Sequence, residues 1–238
     1  VTPYEGLARF PDRSRPLLTH YDGPLSRVEL SVATTANAVA KAAGLLRDEV
    51  GLGPGTTFSV DLPCHWQLPV WVWAGLTVGA TCARFRADHV DARIVGPAQL
   101  AAPSGGGSGV GPADELLASA CDAFGMPLAG GVPAGVIDVA VEVRAHPDVH
   151  VPDPVAASSG RLVLGEVPVS WADALDRASA HPAARPGARL WVDDAGSADC
   201  LLLSCVLPLA VHGSVVLATG LTADQAERLR GVEGATGP

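Results

Sequence analysis

The chain holds one lysine, Lys41, one methionine and two tyrosines, Tyr4 and Tyr21, and only 17% of its 238 residues are charged. A net charge of -9 gives no basic footprint for nucleic acid or for an anionic membrane surface, so neither partner is expected. Hydrophobic residues at 48% exclude intrinsic disorder. They suit an α/β protein of mostly parallel sheets with helices on both faces. The five cysteines, Cys64, Cys82, Cys121, Cys200 and Cys205, are odd in number and form no CxxC. They read as reduced, buried thiols of a cytoplasmic protein rather than a disulfide framework. No basic region followed by an apolar run opens the sequence, so no secretory signal is expected. A GxSxG hydrolase elbow is also absent. Residues Cys200 to Thr219 are uncharged and long enough for a membrane span. Pro208, His212 and Gly213 divide that run into a helix and a strand.

What is present is clearest between Thr19 and Thr81. Arg27 to Ser31 reads as a short strand ending in a helix N-cap. Val32, Ala36, Val39, Ala43, Leu46 and Val50 then recur at steps of four and three, which predicts a helix over Val32 to Glu49. Gly51, Gly53 and Pro54 stop it. Phe58 to Leu62 comes next as a buried strand, then Pro63 to Trp66 as a turn, Gln67 to Val78 as an apolar helix, and Ala80 to Phe85 as another strand. The same reading gives a helix from Trp171 to Ala180, a strand over Ala188 to Val192 and an apolar helix over Ala198 to Ala210. A strand over Ser214 to Thr219 and a capped helix over Thr222 to Arg230 complete it. Alternating strands and helices imply parallel pairing with right-handed crossovers. Between these blocks, Asp114 to Phe124 reads as a helix, Val136 to Val143 as a helix or strand, and His146 to Gly160 as a proline-punctuated loop. Residues 1–18, rich in Pro and Arg, are expected to wrap the surface. Pro103 to Pro112 is a glycine-serine run that reads as a flexible linker. The chain is therefore read as one domain over 1–238, divisible at most into 1–102 and 113–238 around the loop 103–112.

Leu30-Ser31, the helix Val32 to Glu49, Leu52-Gly53-Pro54-Gly55, the strand Thr57 to Leu62, Leu62-Pro63-Cys64-His65-Trp66 and Gly79-Ala80 together resemble the start of the large domain of AMP-binding acyl-CoA synthetases. The chain also looks similar to an actinobacterial family of unknown function, about this length, that resembles only the front part of those enzymes. The matching residues are packing and turn residues, so the resemblance speaks to fold more than to activity.

In the family that is resembled, adenylation relies on a Ser/Thr/Gly-rich phosphate loop ending in lysine, a tyrosine-glycine motif and a lysine on a C-terminal domain. Positive charge at the phosphates is the physical requirement. Here Lys41 lies inside the first helix, both tyrosines precede the core, and no C-terminal domain is expected after Pro238. The best match to the phosphate loop is Ala157 to Gly165, in which Ser158, Ser159, Gly160 and Arg161 are the candidate ligand-binding residues. The apolar Leu162 to Leu164 stands where hydroxyls would meet phosphate. Arginine does not replace a point-charge lysine freely in a tight loop.

Other constellations are weaker. Gly105 to Gly111 fits neither GxGxxG nor the spacing of a P-loop with its lysine. His146, Asp148, His150 and Asp153 are metal-ligand types without a zinc spacing, and Cys64-His65 are adjacent residues that rarely face each other. Asp193-Asp194 follow a strand at its C-terminal end, where doubly wound sheets place ligands, and Trp66 could line a pocket. These three are kept as possible pocket residues. No catalytic residue and no metal ligand is assigned, and ATP or AMP is expected to be held weakly if at all. The sequence thus reads as a non-catalytic module binding a small molecule, an acyl-nucleotide or a protein partner, with self-association left open. The alternative is an AMP-forming acid ligase completed by a separate chain.

Overall fold

A computed structural model describes residues 1–83, 89–101, 112–164, 167–196 and 199–237. The residues with the strongest helical period form α2 (Val32–Asp48). Ser31 caps it by accepting from the Thr34 N–H, and Val32, Ala36, Val39, Ala43 and Leu46 are all buried. The next helix, α3 (Gln67–Thr77), has every residue buried, so it must be covered on all sides.

Two sheets supply that cover. The larger has the order β7 (Val136–Asp138), β6 (Ala113–Ala118), β5 (Val90–Val95), β3 (Thr57–Asp61), β4 (Thr81–Cys82), β8 (Arg161–Leu164) and β9 (Val167–Ser170). All its pairings are parallel except β8 with β9. The smaller runs β10 (Arg189–Val192), β11 (Ser214–Thr219), β1 (Pro16–Asp22) and β2 (Arg27–Ser31), antiparallel only at β1 with β2. Helix α2 lies on β1 and β2, α3 lies on β3 and β4, and the two helices pack against each other, forming a layer between the sheets. The close seat of α3 depends on Gly75, where a Cβ would stand 2.2 Å from the Phe58 ring of β3. On its other side, Trp73 donates its indole N–H to the Cys205 carbonyl at 2.7 Å. Cys205 belongs to a widened, π-helical turn, Leu202–Val206, just ahead of α8 (Leu207–Ala210). Pro208 has no N–H to close an ordinary α-turn there, which accounts for the widening. No helix among the described residues is long and apolar enough to cross a membrane.

The smaller sheet shows the period-2 rule plainly. Leu190, Val192, Val215 and Leu217 point into the main core, while Trp191, Val216, Ala218 and Tyr21 face α9 (Ala223–Glu233) on the opposite side. Chain order after β9 is also as the pattern predicts, with α7 (Trp171–Ser179) capped by Ser170.

Helix α4 (Pro97–Ala101) follows β5. Several expectations are corrected. Ala113–Ala118 is a strand, because it fills the slot between β5 and β7. The helical spacing of Leu116, Leu117, Ala120 and Phe124 loses to that pairing. Val136 to Val143 divides into β7, the short α5 (Val139–Glu142) and a 3₁₀ turn beginning at Val143. The loop after His146 contains α6 (Pro154–Ser159), started by Asp153 and Pro154. Residues 1–18 do not merely wrap the surface. Helix α1 (Pro3–Ala8) packs on α2 and α3, and Leu7, Phe10, Leu17 and Leu18 are buried. The strand expected over Ala80 to Phe85 is Thr81–Cys82; positions 84 and 85 lie outside the described residues, as does the linker at 103–111.

One ion cluster fastens α9 to the sheet. Glu233 accepts from the Tyr21 hydroxyl at 2.6 Å, from Arg27 Nε at 2.8 Å and from Arg189. Burial alone would raise its pKa, but these three donors hold the carboxyl down at about 2. Its stabilising share is therefore complete above the ordinary Glu value and lost as pH falls through about 2. Replacing Glu233 with Ala removes the acceptor of the Tyr21 phenol and one carboxylate partner of Arg27 and of Arg189, which keep Glu29. Thermal melts at neutral pH should show a loss of about 2 kcal/mol, a fall of about 4–8 °C. An unchanged melt would contradict this role.

Candidate functional site

Three places bear on function. The first is the segment resembling a phosphate loop. Ser158 and Ser159 end α6, and both hydroxyls donate back to the Val155 carbonyl, at 3.0 and 2.7 Å. Gly160 is buried against α3, where a Cβ would stand 2.6 Å from the Leu76 carbonyl oxygen. Arg161 opens β8, paired with Thr81 on one side and Ser170 on the other. Leu162 enters the main core. Gly160 thus leads directly into a strand of a hairpin, and α7 comes only after β9.

The second is the seam where β1 of one sheet meets the segments after β3 and β6 of the other. His20 on β1 and His65 before α3 touch edge to face, with ring centroids 4.4 Å apart. Both are almost fully buried. The His65 Nδ1 accepts from the Gln67 N–H at 3.2 Å. Neither ring nitrogen of His20 has a hydrogen-bond partner among the described residues, and the Asp122 backbone is what lies nearest to serve His65. Burial pushes His20 down to about 4, with Asp22 opposing. Burial also pushes His65 down to about 3, with His20 adding to the shift and Asp122 opposing. Both rings are neutral at pH 7. Nearby Cys121 adopts a left-handed backbone with φ 51°, and burial raises its thiol to about 11. It is a protonated thiol, not a nucleophile.

The third is a mostly apolar pocket of about 200 Å³ at the N-terminal end of α3. Trp66, Gln67 and Trp71 form one wall, Lys41 on α2 another, and Phe124 and Val143 stand across from them. Most of the polar groups here are already committed. Trp66 donates to the Ala123 carbonyl at 3.1 Å, and Gln67 accepts from the Ser119 hydroxyl. Lys41 gives its head group to the His146 carbonyl at 2.7 Å and to Asp148 at 3.0 Å, leaving its stem to the pocket. The indole N–H of Trp71 is enclosed away from solvent and has no partner among the described residues. An orphaned buried donor costs about 1–3 kcal/mol.

The remaining candidates are separate from these places. Asp193 accepts from Trp191 Nε1 at 2.8 Å, and Asp194 accepts from the Gly196 N–H at 2.8 Å, so both serve local turns after β10. Trp66 is the sequence-derived residue that the structure places in the pocket. His146 bonds Glu49, Asp148 pairs with Lys41, and His150 meets the Tyr4 ring, so these side chains have different partners. Among the described residues no group of three or more His, Cys, Asp or Glu side chains is arranged to hold a metal. Sequence reasoning missed Trp71 and His20. The available signals were an indole and an imidazole inside otherwise apolar runs.

The two-sheet architecture with intervening helices is that of the acyl-CoA synthetases. An acyl-CoA synthetase of Brucella canis superposes with a TM-score of 0.75 at 18% identity, covering 100% of this chain and 47% of that one. The acetoacetyl-CoA synthetase from Streptomyces lividans gives 0.68 at 20% identity, covering 99% and 42%. In sequence, a TIGR03089 family protein of Mycobacterium tuberculosis is 36% identical over 151 residues, which are 62% of this chain and 61% of that protein. No protein-family model matches the chain. The chain thus spans less than half of the solved synthetases and about three fifths of the curated relative. At this level of identity the structural likeness establishes the fold, and the resemblance read from residues 30–80 agrees with it.

The histidine pair makes stability pH-dependent. Unfolded His titrates near 6.5, and the folded rings do so near 4 and 3. Between those values the unfolded chain binds more protons, so stability falls as pH falls. Denaturant unfolding should lose about 2 kcal/mol per histidine between pH 7 and pH 5. A His20→Phe variant should lose correspondingly less, and equal pH slopes in both proteins would contradict the assignment.

Proposed function

We propose that this chain is a small-molecule-binding module on the acyl-CoA synthetase fold, one that does not carry out acyl adenylation by itself. The observation that carries this reading is the use made of Ser158 to Leu162. The serines close a helix end, Gly160 seats that end on α3, and Leu162 fills core. Backbone groups near Gly160 could meet a phosphate only if released from this packing, and the one lysine, Lys41, is engaged elsewhere. Binding without charge placed at the transition state gives no catalysis. The pocket beside Trp66 offers the alternative use of the fold, a concave and mostly apolar surface.

A second reading is a carboxylic-acid ligase completed by another chain. It is supported by the likeness of fold to the solved synthetases, with TM-scores of 0.75 and 0.68. ATP-pyrophosphate exchange with a panel of carboxylic acids, run with the isolated chain and with cell extract added, separates the two. The isolated chain should show no carboxylate-dependent exchange. Exchange by the isolated chain that drops on Arg161→Ala would overturn the binding-module reading and make Arg161 the substitute for the family's lysine. Exchange appearing only with extract would favour the completed ligase.

A further inference from the structure

We infer that the pocket at the N-terminal end of α3 holds a small, uncharged carbonyl compound whose oxygen accepts from the Gln67 side-chain amide. This rests on the binding-module reading and names the site and ligand class within it. The direction of that amide is fixed by its neighbours. Its oxygen accepts from the buried Ser119 hydroxyl, and in a planar amide this turns the nitrogen to the other side. The nitrogen then stands 3.5 Å from the point that a Cβ on Gly125 would occupy, and the edge of the Trp66 ring lies 3.4 Å from the same point. Gly125, Trp66 and Gln67 all line the pocket. With no side chain on Gly125, the amide nitrogen fronts that space. It has no acceptor among the described residues, and unlike the Trp71 nitrogen it is not sealed from solvent.

Size and polarity set the rest of the ligand. At about 200 Å³ the pocket is smaller than the roughly 300–1,000 Å³ of drug-sized sites, so the occupant is a single ring system rather than a nucleotide. The walls are indole, aliphatic and phenyl surface, which favours a flat apolar body. Phe124 lies at the pocket, 82% exposed, and would be covered by an occupant. The Lys41 ammonium is already bonded to the His146 carbonyl and paired with Asp148, so it is not an unpaired cation waiting for a carboxylate. Trp66 gives its N–H to the Ala123 carbonyl. What remains is the neutral Gln67 donor, and the ligand atom that suits it is an acceptor such as a ketone oxygen. A water held there would be displaced at a loss by a purely apolar ring and replaced evenly by one with a carbonyl.

Indanone and indane form the matched probe pair, since they share a ring skeleton and differ in the carbonyl. Titrated into the full chain and followed by the side-chain amide resonances, indanone should bind about fivefold more tightly than indane. It should also shift the Gln67 amide signals, which indane should leave nearly in place. Gln67→Glu keeps an acceptor for Ser119 and, when ionised, has no N–H to give. Measured above neutral pH, that variant should lose the preference for indanone, while Ala38→Leu, which fills the pocket from α2, should weaken both probes. The wild-type comparison stands even if Gln67→Glu fails to fold. Equal affinities in the wild type, a preference that survives in Gln67→Glu, or binding that Ala38→Leu does not touch would overturn the inference while leaving the binding-module reading intact. Failure of both probes to saturate would also overturn it, and that broader reading is judged separately by ATP-pyrophosphate exchange.

Discussion

A helix that is apolar on every face has to be enclosed, and α3 is such a helix: all eleven residues from Gln67 to Thr77 are buried. No single sheet can enclose it. Phe58 presses on it from the large sheet through the gap left by Gly75, α2 lies alongside, and Cys205 receives the Trp73 N–H from the region under the small sheet. The two sheets are thereby held on opposite sides of one helical layer. Exposing such a helix would cost on the order of 12 kcal/mol by area, about 2 kcal/mol for each large apolar side chain. The layering is a consequence of that cost.

The two ends of α3 then have different fates. At its C-terminal end, Gly160 closes on the Leu76 carbonyl and brings α6 and β8 against the core, so the stretch resembling a phosphate loop acts as a buttress. At its N-terminal end the cover is incomplete. Trp66, Gln67 and Trp71 border a pocket. The histidine pair sits just before this end, where the β1 strand crosses, and adds a dry, neutral contact between the sheets. An open pocket is thus placed where the helix begins, and close packing where it ends.

Much of this was legible from residue order. The steps of four and three in Val32 to Leu46, the Ser31 cap, the glycine-proline stop and the apolar run near Phe58 each act locally, and each formed the expected element. Ala113–Ala118 was not legible, because Leu116 and Leu117 suit a helix or a strand equally. Only the vacancy between β5 and β7 decides between them. The pocket was legible in part: Trp66 stood out beside a turn, but Trp71 falls within the apolar helix read over Gln67 to Val78 and carries no signal that sets it apart. Its exposed neighbour Phe124 was misassigned to that helical reading of 114–124, so the two could not be brought together from sequence. Ser158 to Arg161 stood out by resemblance, and their packing against α3 depends on contacts distant in the chain, such as Gly160 with Leu76.

The central claim is that ligands enter beside Trp66 and Trp71 rather than at Ser158 to Arg161. Amide and indole chemical-shift mapping, using compounds that raise the melting temperature and ATP with magnesium as a separate titration, tests it most directly. Saturable shifts should gather at Gln67, Trp66 and Trp71, with ATP producing none of comparable affinity. Saturable shifts centred on Ser158 to Arg161, above all with ATP, would contradict the account.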